Sequence, residues 1–212
     1  ILHKIVILAL PFFFLTGILR YSLKEYQYYS SYVIHYSEAE NNYVKIIGFL
    51  YNWRFKEKGL FGNLFVSSFV AITIILGGIV VGDPWNTAVL LFSLMVFLFN
   101  LGGEIAADAM DLEGDKKRNS KSIAIMIGKR KAINISFSLF IIFIILSFLP
   151  FIFNLMGISY FIIISLTDII VLFLAVKLLK SQSNKKRKLY IRRLYQSAVT
   201  GLILIIISMV IF

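Results

Sequence analysis

Cysteine is absent from this sequence, and charge is scarce. Without a single cysteine in 212 residues, the chain offers no disulfide framework, no thiolate metal site and no cysteine nucleophile. Charged residues make up 16% and hydrophobic residues 59%, whereas soluble domains average about 25% and about 45 to 50%. Because so little polar surface cannot cover a water-soluble globule, the composition predicts an integral membrane protein.

Long apolar segments divide the chain. A helix needs about 20 residues to cross about 30 Å of hydrocarbon. Five segments meet this requirement: 60–82, 86–107, 131–155, 157–180 and 189–212. A shorter run, 5–19, carries Pro11 and is predicted as a further span, because neighbouring helices can satisfy the carbonyl that proline frees. Residues 44–53 have about half the required length. The sequence therefore predicts an all-α, polytopic transmembrane helical bundle with about six to seven spans.

Basic residues are concentrated between the predicted spans. Most of the 22 lysines and arginines lie in three regions: 54–58, 116–131 and 177–193. The alternate turns near Asp83 and Asn154 have none. Since basic loops are retained in the cytoplasm, we expect a multi-pass protein of the cell membrane whose three basic loops are cytoplasmic. Residues 185–188 are interpreted as a contact with lipid headgroups. Nucleic-acid binding is set aside, because the basic residues alternate with spans and form no patch on a soluble domain.

Acidic residues are few, yet five of the 11 lie between positions 104 and 115. On a continuous helix with about 100° per residue, four of them share one narrow stripe: Glu104, Asp108, Asp111 and Asp115. Like charges at this spacing destabilise a helix, so a cation should neutralise them. Carboxylates without histidine or cysteine suit Mg²⁺, which also binds substrate phosphates. A diphosphate bridged by Mg²⁺ meets this requirement. The alternative is a solvated helix end that pairs with residues 116–118.

Groups that suit a diphosphate lie at the same predicted face of the membrane. Arg118 and Lys121 follow the acidic segment, and Tyr51, Arg54 and Lys56 lie at the end of the short apolar run. Each also has an ordinary interpretation. Basic side chains at a membrane boundary commonly extend toward water as anchors, and tyrosine is common in interfacial aromatic belts.

The acidic segment resembles a known family. Residues 102–115, which read Gly-Gly-Glu-Ile-Ala-Ala-Asp-Ala-Met-Asp-Leu-Glu-Gly-Asp, are similar to the second aspartate-rich motif of the UbiA superfamily of intramembrane prenyltransferases. The Asp-x-x-Asp-x-Glu-Gly-Asp form most resembles the archaeal enzymes that add a second ether-linked chain to a lipid precursor. Residues 51–56, residues 59–63 and Asp168 resemble further positions of the family. The resemblance covers roughly residues 44–212.

The resemblance implies a bundle with a cavity open to lipid. It also implies Mg²⁺-dependent transfer of a prenyl (geranylgeranyl) group from its diphosphate to a hydroxyl of a lipid acceptor, geranylgeranylglyceryl phosphate. The implied partners are the prenyl diphosphate, the lipid acceptor and membrane lipid. The implied catalytic and metal-binding residues are Asp108, Asp111 and Asp115. The implied diphosphate-binding residues are Tyr51, Arg54, Lys56, Arg118 and Lys121. The implied residues of the substrate cavity are Asn63, Glu104 and Asp168. For Asp168, which lies near the middle of a span, a hydrogen bond between two helices is an equal alternative.

The chain also departs from the family pattern. The family's first motif, Asn-Asp-x-x-Asp-x-x-x-Asp, is not found, and Gly103 and Ala107 stand where relatives usually carry basic residues. Residues 1–212 are therefore interpreted as a single transmembrane prenyltransferase-like domain of an expected nine spans, truncated at its N-terminus. Three alternatives stay open: an aromatic acceptor (a quinone, haem or chlorophyll-type precursor), a non-catalytic relative, or a small cation carrier. A carrier would more often hold its carboxylates near the bilayer midplane.

Overall fold

The computed structural model describes residues 59–117 and 121–211, and every regular element in these two ranges is an α-helix. In chain order the helices are α1 (Leu60–Val81), α2 (Thr87–Met110), α3 (Leu112–Lys117), α4 (Ile123–Ile127), α5 (Lys129–Ser147), α6 (Leu149–Ile152), α7 (Ile158–Lys180) and α8 (Asn184–Ile211). Together these helices confirm the predicted all-α class.

Within the described ranges, five helices are long and apolar enough to cross a membrane. They are α1, α2, the nearly continuous α5 and α6, α7, and α8. The five full-length spans predicted from hydropathy are thereby confirmed, and the chain is a multi-pass membrane protein. The run at 5–19 and the half-length segment 44–53 lie outside the described residues, so their predictions stay untested.

The turn between α1 and α2 shows how local sequence ends one span and starts the next. Gly82 adopts a left-handed conformation (φ 84°), and its N–H donates to the carbonyls of Gly78 and Ile79. Asn86 then caps α2, because its Oδ1 accepts from the Ala88 N–H at 3.0 Å while its Nδ2 donates to Asp83 Oδ2 at 2.9 Å. Polar caps replace the hydrogen bonds that helix ends lack. This non-basic turn therefore reverses the chain within a few residues.

Helix α2 packs against α1, α5 and α8, and its buried face is the centre of the bundle. Phe99 lies between Phe140 and Phe143 of α5 and Tyr195 of α8, with ring centroids 5.2, 5.0 and 5.7 Å apart. All three ring pairs are edge-to-face, the arrangement that aromatic quadrupoles favour. Phe99 thus joins three spans at one level.

Small and hydroxyl side chains let the spans approach closely. Ser136 Oγ of α5 donates to the Gly102 carbonyl of α2 at 2.6 Å, and Ser93 Oγ of α2 donates to the Ala71 carbonyl of α1 at 3.0 Å. Interhelical hydrogen bonds of this kind, together with small residues at the contact, are how helices associate in lipid. The register of α2 against both neighbours is fixed by these bonds.

The starts of α1, α5 and α8 and the ends of α2 and α7 form one end of the bundle, which we call the basic end. Within the described ranges, every lysine and arginine lies toward this end. The prediction that residues 177–193 form a loop is wrong, because only residues 181–183 separate α7 from α8. Similarly, 116–131 contains α4 and the start of α5. Lysine and arginine are good helix formers, so these helices continue beyond the apolar core.

Helices α7 and α8 touch where Gly201 faces Thr167. A Cβ atom on Gly201 would lie 2.6 Å from Thr167 Oγ1 and 2.8 Å from its Cγ2. Thr167 is held there by its own hydrogen bond to the Ile163 carbonyl at 2.9 Å. The absent side chain of Gly201 is therefore what permits the α7–α8 contact.

We predict that Gly201→Ala lowers the free energy of unfolding in detergent by about 1 to 3 kcal/mol, the usual cost of overpacking. Thr167→Ala added to Gly201→Ala should recover most of this loss, because it removes both atoms that the new methyl group meets. Gly157→Ala is the control, since nothing lies within 4 Å of a Cβ there. Equal stability of the single and double variants would contradict the proposed clash.

The basic end is predicted to face the cytoplasm. The absence of cysteine permits a direct test, because any introduced cysteine is the only thiol in the chain. A membrane-impermeant maleimide applied to intact cells should label Gly157→Cys at the non-basic end and spare Gln182→Cys at the basic end. Permeabilised cells should show both labelled. Labelling of Gln182→Cys alone in intact cells would reverse the orientation.

Candidate active site at the basic end

The acidic segment spans the end of one helix and most of the next. Helix α2 ends at Met110, Asp111 has non-helical backbone angles (φ −113°, ψ 30°), and α3 begins at Leu112. The prediction of one continuous helix through Asp115 is therefore wrong, and the carboxylate stripe holds only for Glu104 and Asp108. The physical reason is local. The Asp111 carboxylate lies over Gly114, where a Cβ would be 2.6 Å from Oδ1, as an aspartate does when it caps the N-terminus of a helix.

Asn63 and Asp108 meet across the starting turn of α1 and the last turn of α2. Asn63 is buried, and its Nδ2 donates to Asp108 Oδ2 at 2.7 Å. This distance is typical of a hydrogen bond to an ionised acceptor. Two predicted site residues, one assigned to the cavity and the other to the metal, are therefore in direct contact. The bond fixes the orientation of the Asp108 carboxylate.

The chain after the acidic segment folds over the start of α1. Gly59 has φ +56°, and a Cβ there would overlap the Lys121 carbonyl oxygen at 1.9 Å. Position 59 therefore needs glycine for its conformation and for the close approach of the 121–122 backbone. Asp115 is buried and Lys121 is exposed. This contact brings the basic loop to the turn of α1 that carries Asn63.

A polar ladder continues from this end into the bundle. Tyr195 of α8 donates its hydroxyl to Asn100 Oδ1 at 3.2 Å, and Asn100 Nδ2 donates to Ser67 Oγ at 3.4 Å. The Tyr195 hydroxyl also occupies the space beside Gly103, where a Cβ would be only 2.2 Å from its oxygen.

Sequence reasoning missed Asn100, Ser67 and Tyr195 as members of this arrangement. One signal was present, because an amide inside an apolar span is costly unless it faces the bundle interior and finds a partner. Asn100 is such a residue. The partner could not be read from the sequence, since Tyr195 is 95 positions away.

Asp168 is placed differently from the other predicted residues. It is buried between α7 and α5, where Ser147 Oγ donates to its Oδ2 at 2.5 Å and the Tyr160 hydroxyl donates to the Ser147 carbonyl at 2.7 Å. Its described hydrogen bond thus goes to the non-basic end of α5, where Pro150 follows. This arrangement joins two helices at a break in the span. The predicted role of Asp168 in a substrate cavity stays a prediction.

The donor chemistry of the acidic segment suits a hard cation. Asp108, Asp111 and Asp115 offer only carboxylate oxygens, and Mg²⁺ is commonly held by one or two carboxylates together with water and substrate phosphates. Among the described residues, no three histidine, cysteine or acidic side chains group closely enough to hold a metal by themselves. The residues therefore fit a Mg²⁺ ion that takes part of its coordination from a diphosphate. Four predicted diphosphate ligands lie outside the described residues: Tyr51, Arg54, Lys56 and Arg118.

The fold and this end of it define a class: a polytopic helical membrane protein with carboxylates, an amide and basic residues gathered at one face of the bilayer. Residues 44–197 match the family described as "UbiA prenyltransferase family". The chain belongs to the UbiA prenyltransferase family, as the acidic motif predicted.

The chain is similar to curated proteins named digeranylgeranylglyceryl phosphate synthase. It is 34% identical over 140 residues to the one from Methanosphaera stadtmanae, covering 66% of this chain and 51% of that protein. It is 36% identical over 151 residues to the one from Methanococcus maripaludis, covering 71% and 52%. The chain thus spans about half the length of the curated relatives it matches.

The chain is also similar to a solved structure. It is described as "Structural and mechanistic insights into the biosynthesis of Digeranylgeranylglyceryl phosphate synthase in membranes". The TM-score is 0.68 at 28% sequence identity, and the match covers 76% of this chain and 57% of that one. The helical arrangement described above is therefore shared with a solved relative.

The pairing of Asn63 with Asp108 can be tested by exchanging the two groups. We predict that Asn63→Asp lowers the free energy of unfolding by about 1.5 to 3 kcal/mol, because it replaces a hydrogen bond to a charged group with two facing carboxylates. Adding Asp108→Asn should restore stability, since an amide and a carboxylate again face each other. Thermal unfolding in detergent measures both. If the double variant is as unstable as Asn63→Asp, the contact does not stabilise this end.

Proposed function

We propose that the chain transfers a geranylgeranyl group from its diphosphate to a hydroxyl of a lipid acceptor, geranylgeranylglyceryl phosphate, in ether-lipid synthesis. The Asp108 carboxylate carries this proposal, because Asn63 orients it at the basic end. The similarity to curated proteins named digeranylgeranylglyceryl phosphate synthase supports this acceptor over an aromatic one.

In this proposal the acidic residues and the basic residues act on the same diphosphate. Asp108, Asp111 and Asp115 would hold Mg²⁺ together with oxygens of the diphosphate, and the ion would supply positive charge that stabilises the leaving group. The basic and tyrosine side chains bind its oxygens: Tyr51, Arg54, Lys56, Arg118 and Lys121. Asn63 keeps the Asp108 carboxylate in one orientation, so that less reorganisation is needed when charge develops.

The bond changes follow from this arrangement. The bond from the allylic C1 to the diphosphate oxygen breaks and its electron pair leaves with the diphosphate, the acceptor hydroxyl oxygen bonds to C1, and the hydroxyl proton passes to the released diphosphate. Asn63 and Glu104 line the polar start of the cavity in this proposal, and Asp168 lies farther along it. The apolar part of the bundle accommodates the prenyl chain, since α1, α2, α5, α7 and α8 each contribute an apolar segment long enough to cross a membrane. The basic end faces the cytoplasm, where a soluble diphosphate reaches it.

A cation carrier is a weaker explanation of the acidic segment. Carriers usually bind their ions near the bilayer midplane, at interrupted spans. Here Asp108 lies in the last turn of α2, and Asp111 and Asp115 follow that helix into the basic segment. The position of the carboxylates therefore favours chemistry at the membrane face.

Charge removal at the acidic segment tests the proposed activity. In membranes that contain the 212-residue chain, Asp108→Asn and Asp111→Asn should each reduce Mg²⁺-dependent formation of the diether product by about 100-fold or more, the typical scale of lost electrostatic stabilisation. Radiolabelled geranylgeranyl diphosphate and geranylgeranylglyceryl phosphate are the substrates. Asp83→Asn is the matched control, because it removes the same charge at the opposite end.

Three outcomes would contradict the proposal. Unchanged product formation by both variants would remove the acidic segment from the reaction. Transfer to an aromatic acceptor but not to the glyceryl phosphate would assign another acceptor within the family. Cation flux into proteoliposomes without prenyl substrate, abolished by Asp108→Asn, would favour the carrier.

A further inference from the structure

Helices α5 and α8 both begin with positive charge. Residues 129–131 read Lys-Arg-Lys and residues 185–188 read Lys-Lys-Arg-Lys, and neither first turn has an acidic residue. The N-terminus of a helix already carries partial positive charge from its unpaired N–H groups. Basic residues at a helix N-terminus destabilise an isolated helix. Both helix starts therefore have an excess of positive charge, which a bound anion would neutralise.

The two helix starts are adjacent in space. Lys129 Nζ of α5 donates a hydrogen bond to Asn184 Oδ1 at the start of α8. Burial, and then the positive charge of Arg187, lower the pKa of Lys129. Two cations and two helix N-termini therefore converge at one place on the basic end.

Arg187 differs from the lysines around it. Lys185, Lys186 and Lys188 are exposed, whereas the Arg187 side chain is only 9% exposed and its buried Nε has no hydrogen-bond partner. Helices α5 and α8 contain no aspartate or glutamate, so neither supplies a carboxylate to neutralise the guanidinium. A buried donor on a charged group costs free energy unless something accepts from it.

We propose that the starts of α5 and α8 form a binding site for the phosphate group of a membrane lipid. The Arg187 guanidinium and the Lys129 ammonium bind the phosphate, and Asn184 holds Lys129 in place. The planar guanidinium fork matches two phosphate oxygens, and helix N-termini add N–H groups and a favourable dipole. Lipid phosphates lie at the depth where spans leave the apolar core, as α5 and α8 do here.

This site goes beyond general attraction of basic residues to headgroups. Exposed lysines attract any anionic surface through screened charge, and their contribution is spread over many side chains. A buried arginine with an unsatisfied donor binds one group at one place. The site also does not depend on the proposed transfer reaction, because it uses none of the acidic residues assigned to that reaction.

The experiment measures lipid binding to the purified chain in an uncharged maltoside detergent. Dioleoylphosphatidate is titrated by calorimetry, with dioleoylglycerol, which lacks the phosphate, as the reference lipid. We expect saturable binding of the phosphatidate and weakening of at least about tenfold by Arg187→Gln, since a charge-assisted pair is lost. Arg192→Gln, an exposed arginine of the same helix, removes the same charge and should change the affinity less than about threefold.

Arg187→Lys keeps the positive charge and removes the planar guanidinium group. This variant replaces Arg187→Gln in the experiment if Arg187→Gln does not fold. It should weaken binding by about threefold or more. Sodium phosphate, added as a competitor, distinguishes free phosphate from a lipid phosphate. Competition at millimolar concentration means that the phosphate group alone is enough for binding. No competition means that the bound phosphate must be part of a lipid.

Several results would overturn the site. If Arg187→Gln and Arg192→Gln weaken phosphatidate binding equally, the binding depends only on the net charge of the chain. Dioleoylglycerol binding as tightly as the phosphatidate would remove the phosphate from recognition. Unchanged affinity of Arg187→Lys would exclude the guanidinium fork, and binding of sodium phosphate without binding of phosphatidate would exclude a lipid as the source.

Discussion

Polar groups inside a bilayer cannot form hydrogen bonds with water, and this constraint determines how the described helices pack. Backbone groups are satisfied within helices, and the polar side chains of the spans find partners on their own helix or on a neighbouring one. Ser136 bonds to Gly102 and Ser93 to Ala71, which fixes α2 against α5 and α1. Ser147 bonds to Asp168 and joins α5 to α7. Hydrophobic attraction between helices is weak in lipid, so these bonds and the small residues beside them set the register.

The same constraint explains the position of the candidate site. A carboxylate is tolerated where a span leaves the apolar core, and Asp108 lies in the last turn of α2 with Asn63 as its donor. Farther along α2, Asn100 and Tyr195 satisfy each other. Polar groups therefore extend from the membrane face into the bundle without leaving these amides unpaired.

The five full-length spans could be predicted because length and hydropathy alone decide whether a helix crosses a membrane. The acidic motif also indicated the family. The helix boundaries were predicted less accurately. Residues 184–188 extend α8 because lysine and arginine are good helix formers, whereas their charge alone predicted a loop. The carboxylate stripe failed at Asp111, whose backbone leaves the helical conformation and whose carboxylate lies beside Gly114 of the next helix. The contact of Tyr195 with Asn100 depends on how distant helices pack, and no local pattern encodes it.

Gly103 and Tyr195 form one unit, since the tyrosine hydroxyl fills the space that a side chain at 103 would need. The two positions are therefore not independent in evolution. A larger side chain at 103 would overlap the Tyr195 hydroxyl, so it requires either that the tyrosine ring moves or that residue 195 is smaller. The cost of a substitution at 103 thus depends on the residue at 195.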